Sequence, residues 1–95
     1  MRRLRKPTME LYHLRSFIAV AKEGHLTRAA HQLYISQPAV SAHIKALEEE
    51  LGVTLFARTP QGMTLTKEGH VLKMQAEKSL TTINELFQQA KRLQH

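Results

Sequence analysis

The hydrophobic positions in the first third of the chain recur every three or four residues, which is the period of one helix face. They predict a first helix over residues 10–23, with Thr8 suited to cap it and Gly24 to end it. A short second helix is predicted over residues 27–34, with Thr27 as its N-cap. Its two adjacent alanines allow another helix to approach closely, so we expect the two helices to pack together.

A third helix is predicted after a tight turn, and we expect it to end at Leu51. Ser36 is the expected N-cap, and Pro38 fits the first turn, where no backbone N–H is needed. The apolar residues that share its inner face are assigned to the core: Val40, Ile44, Leu47 and Leu51. The outer face is small and polar, with Gln37 at its border: Pro38, Ser41, Ala42 and Lys45. A slim helix of this kind suits the major groove of DNA, and the two helices with their tight turn fit a helix-turn-helix.

Two short β-prone segments come next, over residues 53–56 and 63–66, and predict a hairpin with its turn at residues 60–62. Thr66 is the expected cap of a long helix that continues to about Leu93. Five apolar residues step by four, three, four and three along this helix and form an a/d seam: Ala76, Leu80, Ile83, Phe87 and Ala90. The helix would be roughly 40 Å long at ~1.5 Å per residue, too long for a small domain to cover, so the seam favours a partner helix. The alternative is that this face folds back along its own domain.

The charge of the chain favours a polyanionic partner, and its distribution refines that expectation. The net charge is +6, from 14 basic residues against 8 acids. Four of the basic residues lie before Pro7, so the rest of the chain carries 10 against 8. No acid occurs from residue 24 to 47 or from residue 53 to 67, and these stretches flank three glutamates at 48–50. Their position supports a nucleic-acid surface on the second and third helices and the hairpin.

Composition excludes several other classes. The 95 residues suffice for one core, and the absence of cysteine removes disulfides and thiolate metal sites. The six histidines follow no metal-binding spacing, so we expect no metal and no cofactor. There is no Asp, glycine-rich phosphate loop or nucleophile elbow, so we expect no catalytic residue and no enzyme. No apolar run reaches the ~18 residues of a membrane span, and no signal peptide is present, so we expect a cytoplasmic protein with no membrane partner.

Five segments, in order and at matching spacing, resemble the N-terminal region of LysR-type transcriptional regulators. They are MELYHLRSF (9–17), GHLTRAA (24–30), SQPAVS (36–41), LEEELGVTLFAR (47–58) and LTKEG (65–69). The resemblance covers residues 9–95. It implies a mainly α fold, a winged helix-turn-helix with a three-helix core and a two-stranded wing, followed by a long dimerisation helix. We therefore divide the chain into a flexible basic arm (1–8), a DNA-binding domain (9–66) and a linker or dimerisation helix (67–95).

The resemblance also implies a function. It leads us to expect sequence-specific binding of double-stranded DNA by a homodimer, at an operator with an inverted repeat, and regulation of transcription in the bacterial cytoplasm, at the nucleoid. The family further implies a tetramer and a small-molecule inducer, bound by a C-terminal effector domain that these residues do not contain. We therefore expect an excised fragment, with a naturally short protein as the alternative. The main alternative is a helical dimerisation or adaptor module that has lost DNA reading. A membrane-surface binder acting through the basic arm is disfavoured because no apolar face accompanies that arm.

Carried onto this chain, the family's DNA contacts and their neighbours on the outer face are Thr27, Arg28, Ser36, Gln37, Pro38, Ala39, Ser41, Ala42, Lys45, Arg58 and Gln61. Many members of the family have Arg at the positions of Ala42 and Gln61. Where this chain lacks such an arginine, a phosphate contact is lost. Each lost contact makes the dependence of log K on log salt less steep by roughly 0.9. Lys45, His43 and the basic arm are candidates to compensate. Arg58 has an alternative role, an ion pair with one of the glutamates at 48–50. These glutamates lie near a helix C-terminus, where the helix dipole disfavours a negative charge, so a cationic partner would stabilise them.

Overall fold

The computed structural model describes residues 8–94, and within them it contains four helices and one two-stranded antiparallel sheet. In chain order these are α1 (Leu11–Glu23), α2 (Leu26–Leu33), α3 (Gln37–Leu51), β1 (Phe56–Thr59), β2 (Gly62–Leu65) and α4 (Lys67–Leu93). The helices α1, α2 and α3 form the core and the two strands form a wing. The predicted mainly α winged helix-turn-helix with a long final helix is confirmed. Apart from Thr8, the predicted basic arm lies outside the described residues.

The core lies where α1, α2 and α3 meet, beneath the segment that leads into the wing. Phe17 of α1 and Leu47 of α3 are fully buried, and so is Leu55 just before β1. The ring of Phe56 meets that of Phe17 edge to face, with 5.7 Å between their centroids, a favoured geometry for aromatic pairs. Leu51, which we predicted to face the core, is 37% exposed and lines a groove between α1 and α4.

Two predicted helix caps are wrong and two are confirmed. The helix α1 begins after Glu10, and Thr8 instead donates from its N–H and its hydroxyl to the carboxylate of Glu50. The helix α2 is capped by His25, not by Thr27. The reason is the buried Leu26, which with the alanines and the leucine of α2 completes an apolar face spaced i, i+3, i+4 and i+7.

The confirmed caps are those of α3 and α4. The N–H of Ala39 donates to Oγ of Ser36 at 3.2 Å, with Pro38 in the first turn as expected. The N–H of Gly69 donates to Oγ1 of Thr66 at 2.9 Å.

The wing is shifted from the predicted hairpin, mainly in its first strand. Thr59 pairs with Gly62, so Pro60 and Gln61 form a two-residue loop at the tip. The first strand therefore covers residues 56–59 and not 53–56, whereas the second differs by one residue. Thr54 and Leu55 are bonded elsewhere: the N–H of Leu55 donates to Glu48, and the carbonyl oxygens of Thr54 and Leu55 accept from Thr66 at the start of α4.

The helix α4 spans 27 residues, and its two ends have different surroundings. Near its start it packs on α1, where Ala76 is buried and Leu72 half-buried beside Met9 and Leu14. Past Ile83 its side chains are exposed. The apolar stripe thus covers its own domain at one end and stands free of it at the other. Within residues 8–94, no helix has both the length and the apolar character that crossing a bilayer requires.

Candidate nucleic-acid interface

The start of α3 presents its predicted residues to solvent. Ser36, Gln37, Pro38 and Ala42 are exposed, and Ala39 and Ser41 are half-buried. Ser36 also caps the helix, so its hydroxyl lies at the positive end of the helix dipole, where an anion is favoured. The outer face of α3 is therefore slim, polar and open.

The wing tip, the start of α2 and the start of α3 line one cleft of about 400 Å³. Four of the predicted site residues meet there: Thr27, Gln37, Arg58 and Gln61. The cleft is also lined by His25, which sequence reasoning missed because it placed the start of α2 two residues too late. None of the described residues lining the cleft is acidic. The cleft therefore combines a cation, amide groups and a hydroxyl without a competing carboxylate.

Backbone contacts hold the wing tip beside the helices. The N–H of Met63 donates to the carbonyl oxygen of Gly24, between α1 and α2, at 3.0 Å. Gly62 has φ +126, and a Cβ there would overlap that same carbonyl oxygen. The hydroxyl of Thr59 donates to the carbonyl of Gly62 at 3.1 Å and fixes the loop. The width of the cleft thus depends on a close approach that only glycine permits.

The root of the wing is held by Glu48 of α3. Its Oε2 accepts from the N–H of Leu55 at 2.7 Å and from that of Phe56 at 3.4 Å. On the other side, the hydroxyl of Thr66 donates to the carbonyl of Thr54 at 2.6 Å, which ties the root to the start of α4. These hydrogen bonds to Leu55 and Phe56 explain the position of the Glu48 carboxylate without an ion pair to Arg58.

The ion-pair alternative for Arg58 is wrong for the described part of the chain. Arg58 is exposed and makes no ion pair with any residue from 8 to 94. Its guanidinium is therefore available to a phosphate at the mouth of the cleft.

Two predicted cations, Arg28 and Lys45, are not among the residues that line the cleft. Nη2 of Arg28 donates to the carbonyl of Glu23 at 3.1 Å, and its Nε lies 3.9 Å from the carboxylate of Glu23. Arg28 thus covers the C-terminal end of α1, where a cation is favoured. Lys45 lies farther along α3 in a shallow groove beside Glu48 and Glu49. Both cations are exposed, but the structure does not bring them together with Arg58.

His43 does not supply a compensating charge. It lies on the flank of α3 that faces α1, with Nδ1 2.7 Å from Oγ of Ser16. Burial lowers the pKa of His43 below its ordinary value, and the nearby imidazole of His13 lowers it further. Both effects favour the uncharged form of the imidazole.

The five predicted dimerisation residues differ in exposure. Ala76 is buried in its own domain, Leu80 and Ile83 are half-buried, and Phe87 and Ala90 are exposed. Their pairing role stays a prediction. No group of three or more histidines and acids that could hold a metal ion is found among residues 8–94.

Comparison with known proteins gives consistent matches. A family model described as bacterial regulatory helix-turn-helix protein, lysR family, matches residues 11–70. The chain is 47% identical over 83 residues to the HTH-type transcriptional regulator BudR of Klebsiella aerogenes, and this match covers 87% of the chain and 58% of BudR. It is 42% identical over 85 residues to the HTH-type transcriptional regulator BenM of Acinetobacter baylyi, covering 90% of the chain and 28% of BenM. The chain thus spans less than two thirds of either relative.

Solved structures match over nearly the whole described chain. A crystal structure of the BenM DBD in complex with benA site 1 DNA has a TM-score of 0.84 at 42% identity, and the match covers 90% of this chain and 96% of that one. The CbnR DBD–DNA complex has a TM-score of 0.85 at 35% identity, with 90% and 98% covered. The shared arrangement includes the helices and the wing that form the cleft.

Proposed function

Because this chain belongs to the lysR family of bacterial regulatory helix-turn-helix proteins, we propose that it binds double-stranded DNA in a sequence-specific manner and serves in the regulation of transcription. The observation that carries the proposal is the cleft in which α2, α3 and the wing tip converge without a carboxylate among the residues that line it. The likeness to the BenM and CbnR complexes with DNA supports it. The relatives are regulators, and we propose no catalytic role for the chain. Its place of action would be the bacterial cytoplasm, at the nucleoid.

The residues of the interface divide into those that read bases and those that position the protein. The outer face of α3 would enter the major groove, where Gln37 can pair with the edge of an adenine and the methyl of Ala42 can touch a thymine methyl. Ser36 and Thr27, near the starts of their helices, would bind phosphates. Arg58 in the wing would follow the backbone or the minor groove and supply the cleft's charge.

We propose further that two copies pair through α4. The exposed end of the apolar stripe, with Phe87 63% exposed, is a surface that a second helix would cover. A two-fold dimer would place two copies of α3 on the halves of an inverted repeat. Tetramer formation and the response to a small-molecule inducer would belong to parts of a longer regulator outside these residues.

Selection of bound sequences from a random duplex pool tests the proposal. The winning duplex and its scrambled form are then titrated at two salt concentrations. We expect enrichment of a two-fold repeat and a clear preference over the scramble. Equal, weak binding to both duplexes would contradict the proposal and favour the adaptor alternative, for which Ala42 and Gln61 are the supporting features.

Two variants assign the roles within the interface. Gln37→Ala should reduce the preference among base sequences more than the total affinity. Arg58→Gln should weaken binding to all sequences and lower the slope of log K on log salt by roughly 0.9. Lys22→Gln removes an exposed cation of α1 outside the cleft and is the matched control. A salt slope equally reduced by the control would show that Arg58 contributes only to the net charge.

A further inference from the structure

The turn between α2 and α3 exposes an aromatic side chain in an unfavourable backbone conformation. Tyr34 ends α2 with φ 59 and ψ 39, in the left-handed region, and it is the one non-glycine residue between 8 and 94 with positive φ. Its side chain is 94% exposed. Glycine or asparagine is the usual choice at this position of a helix end. The stability of the turn therefore does not explain why a tyrosine is present.

An apolar groove of about 480 Å³ lies beside this turn, between α1, the end of α2 and α3. Leu33 and Ile35, the neighbours of Tyr34 in the chain, line it together with Tyr12 of α1. Tyr12 and Ile35 are themselves exposed. We use the name Tyr34 surface for this turn and groove, formed by Tyr12, Arg15, Leu33, Tyr34, Ile35 and His43. Contiguous exposed apolar groups of this kind mark interaction sites.

The Tyr34 surface does not overlap the cleft, although Tyr34 itself also lines a second groove with Glu23 and the predicted DNA contact Arg28. The surface shares no residue with the cleft. His43 lies on the flank of α3 next to Ser16 of α1, whereas Gln37 lies beside Arg58 of the wing. The surface therefore stays open while the outer face of α3 contacts DNA, and this accessibility is the one point that rests on the proposed function.

The charges around the groove indicate what would occupy it. Arg15 lines the groove, is exposed, and makes no ion pair with residues 8–94. No acid occurs from residue 24 to 47, and on α1 the carboxylate of Glu23 lies against Arg28. Tyr12, Leu33 and Ile35 make the floor of the groove largely apolar, and burial together with the nearby His13 lowers the pKa of His43, which favours its uncharged form. An occupant must therefore combine an apolar side chain with a carboxylate.

We propose that the Tyr34 surface docks an acidic, amphipathic segment of another protein, with an apolar side chain in the groove and a carboxylate on Arg15. DNA is a poorer fit, because a phosphate backbone leaves the apolar floor uncovered. A second copy of the chain is also a poorer fit, since a two-fold contact through this surface would bring two copies of Arg15 together without a carboxylate between them.

Selection from a phage-displayed library of random peptides, carried out on the DNA-free chain, tests this proposal. We expect the enriched peptides to carry aromatic or aliphatic residues next to Asp or Glu. The best peptide is then titrated with and without bound duplex. Affinity should fall at least about tenfold with Tyr34→Asn, because exposed aromatics dominate such contacts, and also with Arg15→Glu. Tyr34→Phe, which keeps the ring, and Lys22→Glu, a charge reversal elsewhere on α1, are the controls and should retain binding.

The variant Tyr34→Asn separates docking from folding, since asparagine tolerates the left-handed conformation. Its urea unfolding midpoint should equal or exceed that of the parent chain. Enriched peptides that lack acids, a failure to enrich any peptide, or affinity unchanged by Tyr34→Asn would overturn the proposal. A loss of duplex affinity in Tyr34→Asn would assign the surface to DNA, and a changed sedimentation profile would assign it to a second copy. If the peptide binds only without duplex, the placement of α3 on DNA is wrong and the docking surface stands.

Discussion

The close approach of the wing to the turn after α1 can be tested with one methyl group. Gly62→Ala places a Cβ at a backbone with φ +126, where it would overlap the carbonyl oxygen of Gly24. To relieve the overlap the wing must move, and the hydrogen bond from Met63 to that carbonyl, 3.0 Å long, must lengthen or break. The cleft that Arg58 and Gln61 line would widen with it.

The expected size of the effect follows from two terms. A non-glycine residue held in a sparsely populated region of φ and ψ costs about 1–3 kcal/mol, and breaking a backbone hydrogen bond costs about 1 kcal/mol. Gly62→Ala should therefore lower the free energy of unfolding by about 3 kcal/mol. Gly52→Ala is the matched control, because Gly52 has φ +75 but a Cβ there meets nothing within 4 Å. It should cost only about 1 kcal/mol, the ordinary penalty of the left-handed conformation.

Urea unfolding followed by far-ultraviolet circular dichroism measures both variants. At an m-value of about 1–3 kcal/mol/M for a small domain, the difference of about 2 kcal/mol separates the two midpoints by roughly 1 M. Duplex titration without urea should then show weaker binding for Gly62→Ala and unchanged binding for Gly52→Ala. Equal unfolding midpoints for the two variants, or full duplex affinity in Gly62→Ala, would refute the role assigned to this contact.

Three further expectations concern other parts of the molecule. Phe87→Asp should place a charge in the α4 seam and weaken dimerisation, while Met74→Asp, on another exposed face of α4, should not; identical sedimentation of the two variants would exclude this seam. Glu48→Ala should destabilise the fold by about 2 kcal/mol, because the buried N–H of Leu55 loses its acceptor; Glu48→Gln keeps an acceptor and should cost less in urea unfolding, and equal losses would contradict the account. The folded state lowers the pKa of His43, so as pH falls below about 6.5 the unfolded chain binds the proton first and the free energy of unfolding decreases. In His43→Asn this part of the pH dependence should disappear, and an unchanged dependence would show that His43 does not cause it.

Local signals in the sequence are sufficient to predict most of the fold. The caps Ser36 and Thr66 act within their own helix turns, so neighbouring residues alone identify them. The predicted start of α2 is too late because Thr27 is a typical cap, whereas the burial of Leu26 determines where the helix begins. The predicted first strand is misplaced because Thr54 and Leu55 are bound by Glu48 and by the start of α4, and these contacts form only in the folded chain.

The candidate site is predictable in its residue types but not in its arrangement. Thr27, Gln37, Arg58 and Gln61 come from segments far apart in the chain, and their convergence depends on the approach of the wing to Gly24. The partner of Arg28 illustrates the same limit. The sequence suggests an ion pair for Arg58, but it is Arg28 that lies against a glutamate, at the adjacent end of α1. Sequence spacing does not show which cation a folded surface leaves free.

The bonds that fix the cleft are made by backbone groups, by the hydroxyl of Thr59 in the wing and by Glu48 outside the cleft. Gly24 accepts from the N–H of Met63 at the tip, and Glu48 accepts from the N–H of Leu55 at the root. The side chains of Gln37, Arg58 and Gln61 line the cleft and are exposed, so exchanging one of them changes what the cleft can contact while these bonds stay in place. Gln61, at a position where the family resemblance leads us to expect arginine, is therefore compatible with an intact interface. For the same reason, substitutions of the exposed cleft side chains should change which DNA sequences are preferred. Substitutions of Gly62 or Glu48 should instead weaken binding without changing the preference.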